Sequence, residues 1–327
     1  MSTAKEVKLY HFPGSYYSLK ALLALYEKDV AFEEQVINIQ AGDQNQDWYL
    51  AINKNGEVPV LEIDGQYTAQ SETIIDVIDE TFTTGSRLVP DIETGYGSDV
   101  KDFRKFLHDI PVDVVTYGII CNRHLKHKDG VINVPKFFSR KMAEQKFSGE
   151  ISKMRDKLER SPAPELRAAL ERKIEKVSNR LKLVMDEKLV VKQLDDLEFV
   201  FDKIEERLLK TKREFDSKQD IWLFGTEFTA ADITATTLFV RMQLIGLDTR
   251  YFTCETRPDV YNYFSRLMKR PSVIRMKVKM EETQKIMKKM MLRSVGIKVF
   301  KVAFVVGILG IGYVGLKKYG ANLFQKS

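Results

Sequence analysis

Cys121, His124 and His127 stand three residues apart, and thiol and imidazole are the side chains that most often hold transition metals. At about 100° per residue on a helix the three share a face only loosely. No fourth ligand is evident, so no metal site is expected and the three read as ordinary residues at a helix end. No P-loop, G-x-S-x-G or H-E-x-x-H pattern occurs. Ser15 and Ser71 stand at the starts of two expected helices. A hydroxyl in such a place either caps its helix or hydrogen-bonds a ligand.

The elements that must position these groups are visible in the pattern. Lys8–Phe12 (KLYHF) reads as a strand, and Ser15–Glu27 carries Leu19, Leu22, Leu23 and Tyr26 at helical spacing. Phe32–Ile39 reads as a second strand and Asn45–Ile52 as a short helix. Val58–Ile63 and Gln66–Gln70 form a hairpin about Asp64-Gly65. Ser71 is expected to cap a helix with Ile74, Ile75, Val77 and Ile78 inside. The order is βαβαββα. Further on, WLFGTEFTAADI (Trp222–Ile233) holds an N-cap, Thr229, with Asp232 three residues later, a capping box that serves folding and not chemistry. Between roughly 122 and 215 lies a charged stretch with Leu166, Leu170, Ile174, Val177, Leu181, Leu197, Phe201, Ile204 and Leu208 in helical period, broken at Ser161-Pro-Ala-Pro164. Two long amphipathic helices projecting from the body are expected there, offering either a partner surface or a packed hairpin with one solvated face.

The net charge of +6 is unevenly placed. Lys269–Lys301 holds eleven Lys/Arg against two acids and three lysines follow, which leaves a net charge of −6 on the residues before 269. A nucleic-acid protein would carry its basic face on the folded body, so that class is excluded. Two cysteines, Cys121 and Cys254, cannot build a disulfide framework, which fits a reducing, cytosol-facing compartment. No signal peptide, myristoylation pattern, prenylation box or ER-retention signal is expected. Residues 273–295 mix apolar positions with Lys/Arg, as expected of a basic amphipathic segment lying on an anionic surface or on the body. Val302–Leu316 has no charged residue and is flanked by Lys298, Lys301, Lys317 and Lys318. With Val299 and Phe300 added and the flanking lysines reaching the headgroups, 299–316 is expected to span a membrane once, with 317–327 as a short basic tail.

Three motifs carry a resemblance: LY with a Ser six positions after the Leu (Leu9, Tyr10, Ser15), GEVPVL (Gly56–Leu61), and QS (Gln70, Ser71). They resemble the glutathione transferases, and Trp222–Ile233 resembles the second domain of that fold. The resemblance implies an α/β thioredoxin-like domain over 1–85 and an all-α C-terminal domain over 91–292 interrupted by the helical insertion. It implies that Val58 pairs its backbone with a peptide ligand beside a cis Pro59, that Ser71 binds the γ-glutamyl carboxylate, and that Ser15, with Ser18 and Tyr10 as alternatives, hydrogen-bonds the ligand sulfur. Alternatively Ser15 merely caps the first helix. Two positions depart from the pattern: Glu57 puts a negative charge where a cation or amide commonly meets a ligand carboxylate, and Gln70 replaces a common acid. Weak or absent glutathione binding and activity are therefore expected, with no resident cofactor.

IPVDVVTYG (Ile110–Gly118), IID (Ile74–Asp76) and RPDVYNYFSRLMKRP (Arg257–Pro271), together with the layout, resemble the ganglioside-induced differentiation-associated protein family. That resemblance implies the mitochondrial outer membrane with the body in the cytosol, and a role in mitochondrial shape, fission and redox balance. Peroxisomal and ER membranes are the alternatives. Two functions follow as expectations. One is a tethered adaptor or sensor whose insertion contacts protein partners; the other is an active membrane-bound glutathione transferase acting on apolar electrophiles. A homodimer is a further expectation, with the insertion placed to block or replace the usual interface.

Overall fold

The structure, a computed structural model, describes residues 5–39, 41–127, 140–161, 163–215, 220–283 and 285–286 of the 327. The expected span 299–316, the tail 317–327 and the end of the basic segment lie outside the described residues. Among the described residues no helix is long and apolar enough to cross a membrane. Residues up to Lys277 form one unit and those from Val278 a second. In the second, 278–283 are helical, and Val278 and Ile286 are exposed.

The first unit opens with β1 (Val7–His11), α1 (Tyr16–Glu27), β2 (Glu33–Val36), α2 (Asp47–Ile52), β3 (Val60–Ile63), β4 (Gln66–Ala69) and α3 (Ser71–Thr81). The strands lie in the order β2-β1-β3-β4, with β1 parallel to β2 and antiparallel to β3. Alternation along β1 decides the two faces. Leu9, opposite Leu61, is fully buried, and Tyr10, opposite Val60, packs with Ile37 and Tyr49 on the other face. The β3–β4 turn has Asp64 and Gly65 both at positive φ, 49° and 82°, which is the geometry a two-residue hairpin favours. Ser15 caps α1, whereas Ser71 does not cap α3. The cap residue is Gln70 and Ser71 is the first helical residue.

The helical part comprises α4 (Gly95–His108), α5 (Val112–Cys121), α6 (Arg140–Arg160), α7 (Pro164–Met185), α8 (Glu187–Glu214), α9 (Ala230–Ile245), α10 (Asp248–Tyr251) and α11 (Pro258–Leu267). Helix α9 is buried on nearly every side. Its threonines tolerate this because Thr234, Thr236 and Thr237 return their hydroxyls to Ala230 O, Asp232 O and Thr234 O. The expected capping box is present. The buried Asp232 carboxylate accepts Thr229 N (2.8 Å), Thr229 Oγ1 (2.8 Å), Leu223 N (2.9 Å) and the Tyr263 hydroxyl (2.6 Å).

The stretch 122–215 departs from expectation. Among the described residues it holds three α-helices, not two, because Asp186 starts a new one by accepting Lys188 N and Leu189 N. Helix α8 lies in the body, with Phe201 stacked on Tyr251 at 4.9 Å. Helices α6 and α7 form a packed hairpin, one of the two expected alternatives, which lies on the body and does not project from it. Phe147, Ile151 and Met154 of α6 and Val177 and Val184 of α7 close over Val114 and Cys121 of α5. The burial of that apolar stripe is the physical reason the hairpin folds back.

Residues 271–277 are also helical. They begin on the body, where Arg270 holds Glu27 of α1 through two bonds of 2.6 and 2.7 Å and Arg275 reaches Asp29.

Candidate ligand site

Strand pairing brings the sequence-predicted residues to one end of the sheet. Val60 lies opposite both Tyr10 of β1 and Ala69 of β4. The segment after β1, the segment before β3 and the segment after β4 therefore meet, and they carry Ser15, Val58-Pro59 and Gln70-Ser71.

Ser15 is half-buried, and its Oγ accepts the Ser18 N–H at 3.4 Å. A cap uses a lone pair and leaves the O–H free, so capping and donation to a ligand are compatible. The other two hydroxyls are less available. Ser18 Oγ also only accepts, from Phe12 N at 3.3 Å, but is fully buried, and Tyr10 donates to Glu62 at 2.8 Å. Burial and the Glu62 carboxylate push the Tyr10 phenol well above its ordinary range.

The Val58-Pro59 bond is cis. Among the described residues the Val58 N–H and C=O take no hydrogen-bond partner. Gln70 is exposed and sits at φ 71°, ψ 118°. A non-glycine residue held there costs about 1–3 kcal/mol, and such strain concentrates at ligand clamps. Ser71, which follows it, is buried, and its hydroxyl has no partner among the described residues. It lies in the first turn of α3, where backbone N–H groups point outward and favour an anion.

Beneath Ser71 is a buried charge network. Lys20 of α1, fully buried, donates to Glu72 at 2.8 Å, and Arg104 of α4 bonds both Glu72 and Asp76. Burial pushes the Glu72 carboxyl up, but the His108 hydrogen bond and the Lys20 and Arg104 charges outweigh it and hold the acid ionised. Burial lowers the Lys20 ammonium, against the pull of Glu72. The network joins α1, α3 and α4 under the site.

Glu57 does not face the site as a bare charge. Its Oε1 accepts Lys176 Nζ of α7 at 2.8 Å, and its carbonyl accepts the Tyr49 hydroxyl and Asn53 Nδ2. Lys173, one turn earlier on α7, donates to Gly56 O (2.6 Å) and Asn45 Oδ1 (2.8 Å). Arg241 of α9 is buried and donates to Gly14 O at 3.0 Å, which ties the loop before Ser15 to the helical part. Sequence reasoning missed Lys173, Lys176 and Arg241. The recurrence of Lys173, Lys176 and Arg180 on one face of α7 was the available signal, and charged stripes are ordinary on amphipathic helices.

The Cys121, His124 and His127 side chains serve separate places. Cys121 is buried in the α5–α7 cluster, His124 meets Glu187 at 3.0 Å and His127 meets Thr249 at 2.8 Å.

Comparison with known proteins matches residues 9–86 to the N-terminal domain of glutathione S-transferase and 161–271 to its C-terminal domain. The human ganglioside-induced differentiation-associated protein 1-like 1 is 28% identical over 269 residues, 81% of this chain and 72% of that protein. Protein LigF of Sphingobium is 26% identical over 147 residues, 45% of this chain and 53% of its own. Among solved structures, the beta-etherase LigF of Sphingobium superposes with a TM-score of 0.57 at 22% identity, covering 84% of this chain and 99% of that one. Ure2p in complex with glutathione gives 0.56 at 14% identity, covering 84% and 94%. At these identities the solved structures show a shared fold.

Proposed function

We propose, from the premise that the chain is a glutathione S-transferase-like protein and a relative of the ganglioside-induced differentiation-associated proteins, that it binds a γ-glutamyl peptide of the glutathione type and works as a membrane-tethered adaptor or sensor. The proposed residence is the mitochondrial outer membrane, with the body in the cytosol and a role in mitochondrial shape, fission and redox balance. The observation that carries the ligand is the buried Ser71 hydroxyl and the Val58 backbone at the same sheet end, both without a partner among the described residues. A carboxylate at Ser71 and a peptide strand along Val58 satisfy both. The α6–α7 hairpin, set on the sheet end that carries the ligand residues, supports the adaptor role and is the surface proposed for protein partners. The tether rests on the apolar run Val302–Leu316 and its flanking lysines.

A second reading, an active transferase on apolar electrophiles, is favoured by the free O–H of Ser15. A hydroxyl donating to the ligand sulfur lowers the thiol pKa and supplies thiolate at neutral pH. Calorimetry of glutathione on the full chain in detergent tests the site, and the absence of binding at millimolar ligand would reject it. Ser15→Ala separates the two roles. A loss of turnover with binding kept supports the enzyme, and no turnover in the wild type rejects it. Imaging of a chain ending at Lys301 tests the tether, which fails if that chain still decorates mitochondria.

A further inference from the structure

Gly56 carries no side chain, stands at φ +56° and precedes the acidic Glu57. Neither of the two residues before Val58 thus brings a cation to this edge of the site. The space that a residue-56 side chain would fill is closed from both sides: a Cβ on Gly56 would come within 2.6 Å of Gln44 O of the same domain and within 2.7 Å of Lys173 Nζ from α7. An ammonium group from α7 stands where the domain's own side chain would be.

The hairpin is fastened in that position. Lys157 of α6 donates to Asn45 O at 2.6 Å and Asp47 Oδ1 at 2.5 Å, and Lys54 pairs with Glu165 at the start of α7. Each ammonium has three N–H donors. Lys173 uses two of them, on Gly56 O and Asn45 Oδ1, and Lys176 uses one, on Glu57. The remaining donors lie next to the loop that leads into Val58.

We propose that α7 completes the ligand site, with Lys173 and Lys176 together taking the carboxylate at the glycine end of a glutathione-type peptide. This rests on the peptide-binding role proposed above. An extended peptide that sets one carboxylate at Ser71 and pairs with Val58 carries its other end past Val58, toward Gly56 and Glu57. There Glu57 repels an anion and the two ammonium groups attract it. Lys176 then exchanges its Glu57 partner for the ligand carboxylate, or shares it between the two, so specificity for an anionic end is written in the insertion and not in the transferase-like domain.

The test is a titration of the full chain in detergent with S-methylglutathione and with the same peptide amidated at glycine. S-methylation removes any contribution from thiol ionisation. Wild type is expected to favour the free acid by about tenfold or more, as a charge-assisted contact does. Lys176→Gln, on an exposed side chain whose loss leaves the fold intact, should cut that preference, and Lys173→Gln with Lys176→Gln should erase it. Equal binding of acid and amide by wild type, or a preference that survives both substitutions, overturns the assignment while leaving the peptide site standing. Failure of wild type to bind either peptide overturns the site and this assignment together.

Discussion

Ser71→Ala should change stability and binding in opposite directions. The buried Ser71 hydroxyl has no partner among the described residues, and such a group costs about 1–3 kcal/mol of desolvation. Alanine removes the cost and favours the helix slightly more than serine does. The unliganded variant should therefore be more stable by about 1 kcal/mol, which raises the melting temperature by about 2–4 °C for a body of this size. The ligand loses a hydroxyl-to-carboxylate bond worth about 1.5–3 kcal/mol, so its affinity should fall roughly 10–100-fold. At ten times the wild-type Kd, S-methylglutathione stabilises the wild type by about 1.4 kcal/mol, and the variant by about 0.4 kcal/mol or less. Scanning fluorimetry of the full chain in detergent, with and without ligand, reads both effects in one assay. A lower melting temperature for the unliganded variant with an undiminished ligand shift would refute the reasoning, because the hydroxyl would then be structural.

Asp232→Ala removes a buried acceptor of four hydrogen bonds and should cost about 4 kcal/mol, a fall in melting temperature of about 8–16 °C read by the same scan. Burial pushes the Lys173 ammonium down to about 8, in a setting that also holds Glu150 of α6, Glu57, and Lys176 and Arg180 of α7. S-methylglutathione affinity should accordingly fall as pH rises through about 8, and in Lys173→Gln this fall should be absent. Stability moves the other way: between about 8 and the ordinary lysine value of 10.5 the unfolded chain holds the proton that the folded chain has lost. Urea midpoints of wild type minus Lys173→Gln should therefore rise across that window. Ser15→Ala should cost less than about 1 kcal/mol of stability, since the capping bond it loses is long at 3.4 Å, and chemical denaturation checks this.

The sequence by itself determined the features whose causes lie within a few residues of one another. Asp64-Gly65 forces its hairpin because both positions must take positive φ. Thr229 and Asp232 are three apart, the span of a capping box. The alternation along β1 and the order of strands and helices fix which end of the sheet Ser15, Val58 and Ser71 share, and the same motifs carried the resemblance that the domain matches bear out. Gln70 displaced Ser71 from the cap position because the backbone leaving β4 turns through positive φ, which no side-chain pattern announces. The docking of α6 and α7 was decided only by the tertiary structure. Lys173 meets Gly56 across 117 residues of chain and Lys176 meets Glu57 across 119. An amphipathic helix shows in its sequence that it has an apolar face, but not which surface will bury that face. The charges on its other side acquire partners, and Glu57 its counterion, only once that burial has set where the helix lies.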